Sequence, residues 1–110
     1  MPSHRETITV ELPSEEALRA CQRALPSLGW EHYEGGAERL LAVEDPTRLD
    51  CRTSPSRVEI ELSPRDAGRT EISFNATAPG VGPIPGPARL VRQVRALKSR
   101  IGAESGPGVG

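Results

Sequence analysis

Apolar and polar residues alternate along residues 6–12, where Ile8, Val10 and Leu12 fall on one side. The same period of two returns in Val58, Ile60 and Leu62 and again in Ile72, Phe74 and Ala76. Alternation of this kind marks extended chain with one face buried. Between the first and later strands the period changes. Leu18, Cys21, Leu25 and Leu28 follow one another at spacings of three, four and three, the apolar stripe of an amphipathic helix. Ser14 stands where an N-cap belongs, Glu15 and Glu16 follow in the first turn, and Pro26 and Gly29 close the segment. A second helix is expected over roughly 87–101, with Leu90, Val94, Leu97 and Ile101 in one narrow arc.

Turn residues join these pieces. Trp30–Glu34 and Glu38–Glu44 flank Gly35-Gly36 and read as a hairpin. A second hairpin spans 57–77 and turns through Pro64 to Gly68. Keeping both of its apolar sets on one face puts Ile60 opposite Ile72 and Val58 opposite Phe74. That register also sets Glu61 against Glu71, a small cost from like charges. Arg48 to Arg52 form an optional further strand in a stretch marked by Pro46 and Pro55. The order is β-α-β-β-(β)-β-β-α. It describes an α+β fold in which an antiparallel sheet of four to six strands carries two helices on one face. Residues 1–101 are expected to form a single domain and 102–110 a disordered tail.

The stretches LGWEHYEGG, SPSRVEIELSPRDAGRTEISFNA and GPARLVRQVRALKSRI occur in this order between about residues 25 and 101. In that sequence of motifs the chain resembles small bacterial domains of unknown function with a helix-grip or TATA-binding-protein-like layout. More distantly it is similar to the polyketide-cyclase/START-like superfamily. The resemblance implies architecture and carries no catalytic residue onto this chain. It also implies a place for an apolar ligand, since START-like proteins enclose such ligands between the sheet and a long helix.

Gly80, Gly82 and Gly86 suggest a phosphate loop, but their spacing matches neither the dinucleotide nor the P-loop pattern. Pro79, Pro83, Pro85 and Pro87 lack the N–H donors such a loop needs. The segment reads as a hinge, with Gly86 at the N-cap and Pro87 as the first helical residue.

Charge changes the picture in one place. The last helix holds Arg89, Arg92, Arg95, Lys98 and Arg100 and no acid, so residues 88–101 carry +5 while residues 1–87, with 9 basic and 14 acidic residues, carry −5. Glu59, Glu61 and Glu71 belong to the opposite sheet face and are not placed to neutralise it. The helix therefore reads as a docking surface for an anionic partner: a protein, lipid head groups or nucleic acid. Against nucleic acid stand a pI near 6.1 and the absence of interleaved aromatics.

Candidate chemistry is sparse. Trp30, His32 and Glu34 share a strand face, where His32 and Glu34, with Cys51 or Asp50 as a third, supply only a loose metal-ligand set. Cys21 lies on the first helix's apolar stripe. Cys51 lies near Arg48 and Arg52, but the only bases available to it are His32 and His4, the latter in the N-terminal segment, and catalysis is not supported. No cofactor, metal site or catalytic residue is assigned, and the chain is expected not to be an enzyme. Leu, Val, Ile and Phe make up 23 of 110 residues, just above the roughly 20% that marks disorder, so most of them are needed to fill the core. Room is left for a small groove at Trp30, Tyr33 and Phe74. The reading is a non-enzymatic partner-binding module working through its basic helix, with a small apolar-ligand carrier as the alternative. Neither a secretory signal nor a membrane span is visible, which makes the cytoplasm the expected location.

Overall fold

Five extended segments form strands, and those at the centre of the sheet alternate because they have an apolar face to bury. In the computed structural model, which describes residues 3–36, 38–44, 56–77 and 87–104, they are β1 (Ser3–Val10), β2 (Trp30–Gly36), β3 (Arg39–Glu44), β4 (Arg57–Asp66) and β5 (Arg69–Thr77). Helix α1 (Ser14–Ser27) follows β1, and helix α2 (Pro87–Glu104) ends the described chain. The strands make one antiparallel sheet in the order β1-β5-β4-β3-β2. Both helices pack on one of its faces. Arg48 to Arg52 and the hinge before Pro87 lie outside the described residues.

The registers line up rows of side chains across the sheet. On the helix-facing side one row reads Glu6, Phe74, Ile60, Leu40, Glu34 and the next His4, Ala76, Val58, Ala42, His32. The three inner strands are apolar, while both edge strands end the rows with a His-x-Glu pair. Burial follows: Phe74, Ile60, Val58, Ala42 and Ala76 are fully buried, whereas His4 and Glu6 are half-buried and Glu34 is exposed. On the other side Arg5, Asn75, Glu59, Leu41 and Tyr33 form an open, mostly polar row.

Several expectations shift by a residue or two. The second hairpin pairs Ile60 with Phe74, Val58 with Ala76 and Leu62 with Ile72, two places from the expected register. Pro64 does not open the turn. It continues β4 opposite Thr70, beyond Glu61, the last residue that β3 covers, so one side of the strand there is an edge that tolerates a missing N–H. Glu61 consequently faces Ser73, and the expected repulsion with Glu71 does not arise. β1 starts at Ser3, which places His4 inside the sheet, and Leu12 lies past its end. Thr70 Oγ1 donates to the Leu12 carbonyl at 2.8 Å, tying the strand exit to β5.

α1 begins at Ser14 after Pro13, and the Ser14 side chain makes no capping bond. Its buried face is Ala17, Ala20, Cys21, Ala24 and Leu25, with Leu18 only partly buried and Leu28 exposed. Three alanines on that face bring the helix backbone close to its neighbours. The helix stops where Gly29 takes φ +87, a left-handed geometry that costs glycine little, and its N–H bonds to the Pro26 carbonyl. α2 seats Leu90, Val94, Leu97 and Ile101 on the core as expected, and runs on to Glu104.

Candidate functional site

The helix-facing surface of the sheet, together with α1 and α2, is the part of the molecule with chemistry to examine. α2 has two flanks beside its buried stripe. On the flank toward β1, Lys98 Nζ donates to Glu6 Oε1 at 2.6 Å, and Arg95 Nε lies 3.9 Å from Glu6 Oε2. His4 Nε2 meets Glu6 Oε2 at 2.5 Å. The His4 hydrogen bond and then the Lys98 hydrogen bond hold the Glu6 carboxyl down at about 2, against partial desolvation acting the other way. On the flank toward α1, Arg100 Nε donates to Ser27 Oγ at 3.2 Å. Gln93, two helical turns earlier, shares that flank. Its Oε1 is buried and meets no donor among the described residues.

The cations expected to form a docking face are therefore partly engaged within the chain. Lys98 and Arg95 sit at Glu6, Arg100 reaches Ser27, and Arg92 is exposed. The Arg89 side chain lies outside the described part. Glu59, Glu61 and Glu71 do point away from α2, and Arg39 and Arg65 pair with the last two at 2.9 and 2.5 Å. The acid that reaches the basic helix comes instead from β1. Nothing in this arrangement supports an anionic partner.

Of the three residues expected to line a groove, Trp30 and Phe74 are buried in the core, at 6% and 0% exposure. Tyr33 is 56% exposed on the outer face opposite Leu41, because three residues along a strand reverse the side. The described depressions open at the surface. One of about 170 Å³ is lined by Gly35, Arg39, Leu41 and Glu59 among others, and one of about 260 Å³ by Leu12, Glu16, Arg19 and Arg23. His32 and Glu34 share the helix-facing side at the β2 edge, and Cys51 and Asp50 lie outside the described residues. Among the described residues no three His, Cys, Asp or Glu side chains gather into a metal cluster. Burial pushes the Cys21 thiol up to about 12, so it stays a neutral core group. Sequence reasoning passed over Gln93 and Glu6. Gln93 sits three residues after Leu90 on the margin of the apolar arc, and that spacing is the only signal it gives.

No family model and no curated protein matches the chain. Solved structures do. A domain of the di-domain aromatase/cyclase StfQ from the steffimycin biosynthetic pathway aligns with a TM-score of 0.61 at 15% identity, over 92% of this chain and 45% of that one. A protein from Nitrosospira multiformis gives 0.58 at 16%, over 96% and 97%. One from Thermobifida fusca gives 0.52 at 17%, over 94% and 95%. A further di-domain aromatase/cyclase, BexL from the BE-7585A biosynthetic pathway, gives 0.54 at 17%, over 96% and 45%. These matches correct one expectation. The reading of the chain as non-enzymatic does not stand, because its architecture is shared with aromatase/cyclases. Among the described residues no helix is long and apolar enough to cross a membrane. With five antiparallel strands and two helices on one face, the chain shares its α+β helix-grip fold with these solved structures.

Proposed function

We propose that this chain binds a small, mainly apolar organic molecule between its helices and the inner face of its sheet. The observation that carries the reading is the composition of that face. In two adjacent rows its three inner strands present only Phe74, Ile60, Leu40, Ala76, Val58 and Ala42, and within those rows polar groups stand only at the edge strands. The sharing of this fold with StfQ and BexL, both named as aromatase/cyclases of biosynthetic pathways, supports an organic ligand there. The alanine face of α1 and the buried stripe of α2 favour a small one. Entry would part α2 from its neighbours against the burial of Leu90, Val94, Leu97 and Ile101, and the polar contacts described there lie at the rim: Glu6 with Lys98, and Arg100 with Ser27.

Native mass spectrometry of the protein purified gently from its own host tests this. A reproducible small-molecule mass, lost when the protein unfolds and kept in Tyr33→Ala, is the expected result. A mass lost in Tyr33→Ala would move binding to the outer face. A bare protein that also takes up no apolar probe would overturn the reading.

A further inference from the structure

Gln93 lies one turn after Leu90 and one turn before Leu97, both buried, on the α2 flank that faces α1. Among the described residues its Oε1 is the one buried side-chain nitrogen or oxygen without a hydrogen-bond partner. The neighbouring cation on that flank, Arg100, directs Nε to Ser27 Oγ. A buried carbonyl oxygen without a donor forfeits the hydrogen bond it had with water in the unfolded chain. A methionine would fill nearly the same volume without that loss. The amide has a use at this position if its donor arrives with the ligand.

We infer that Gln93 Oε1 is the hydrogen-bond acceptor for the bound molecule, so the chain selects an apolar ligand carrying a hydroxyl or N–H donor over the same skeleton without one. The inference rests on the ligand-binding reading above and adds the chemical class. An acceptor already unpaired in the free protein gains a partner from a ligand that carries a donor and gains nothing from the same skeleton without one. One neutral hydrogen bond in such a place corresponds to roughly a tenfold preference.

The test uses three probes of nearly one shape: 2-naphthol, 2-methoxynaphthalene and naphthalene. Each is titrated by NMR into the full chain and into Gln93→Met, and thermal melts of both proteins are recorded without ligand. The expected result is about tenfold tighter binding of 2-naphthol than of the other two, lost in Gln93→Met with the naphthalene affinity unchanged. The ligand-free variant should also melt several degrees higher, roughly the 4–8 °C that one relieved polar group brings in a domain of this size. If 2-methoxynaphthalene binds as well as 2-naphthol, the hydroxyl donor finds no acceptor at the site and the inference is wrong. If Gln93→Met keeps the preference, Gln93 is not the anchor, although the site stands. If the variant melts lower, a water or a protein donor already satisfies Oε1, and the inference again fails. If none of the probes binds either protein, the ligand-binding reading fails with it.

Discussion

Replacing Glu6 by Gln should loosen α2 from the sheet edge in a way that pH can report. The carboxylate accepts from Lys98 at 2.6 Å and from His4 at 2.5 Å, and its pKa falls from 4.5 to about 2. At 1.36 kcal/mol per pKa unit, that fall bounds the carboxylate's contribution at about 3 kcal/mol. Its side chain is 18% exposed and Arg95 beside it is 72% exposed, so the pair lies at a wet rim. Screening there reduces the figure to about 1 kcal/mol. In a chain of this length, 1 kcal/mol moves the melting temperature by roughly 4–8 °C. Because the folded pKa is the lower one, the contribution is complete above about pH 4.5 and disappears as pH falls toward 2. Circular-dichroism melts of the two proteins should therefore differ by several degrees at pH 7 and converge near pH 2. Equal melting temperatures at pH 7, or a gap that persists at pH 2, would refute the assignment of the clasp to an ionised Glu6.

Other outcomes follow from the packing. Ala24→Leu puts three extra carbons on a fully buried helix face and should destabilise by about 1–3 kcal/mol, read from denaturant melts. Cys21, buried with its thiol held up to about 12, should resist iodoacetamide in the native protein and label only on unfolding, as peptide mapping would show. Gly29→Ala forces a Cβ onto a residue at φ +87 and should lower stability by about 1 kcal/mol without changing the spectrum of the folded state.

Much of the architecture was legible because it rests on short-range pattern. The alternations through Ile60 and Phe74 and the α2 stripe at Leu90, Val94, Leu97 and Ile101 each encode a buried face within a few residues. What escaped depends on something else. The buried side of α1 is built on Ala17, Ala20 and Ala24, residues whose weak hydrophobicity leaves little mark beside Leu18 and Leu28. The hairpin slipped by two because Pro64 normally signals a turn, and only the reach of β3 shows that it occupies an edge. Glu6 and Lys98 are 92 residues apart, so no local pattern announces their contact. A basic helix seen without Glu6 looks like a surface in search of a partner. Tyr33 was grouped with Trp30 by chemistry, although strand parity already set them on opposite faces.

The most direct test of the account is a residue-resolved map of where an apolar probe binds. Amide and side-chain shifts of the full chain would be followed by NMR as 2-naphthol is added. The account expects saturable shifts at Val94, Leu97 and the Gln93 side-chain amide on α2, at Phe74 and at the Trp30 indole, with Arg5, Glu59 and Tyr33 unmoved. Shifts confined to Tyr33, Leu41 and Glu59, or no saturable shift at any concentration reached, would contradict it.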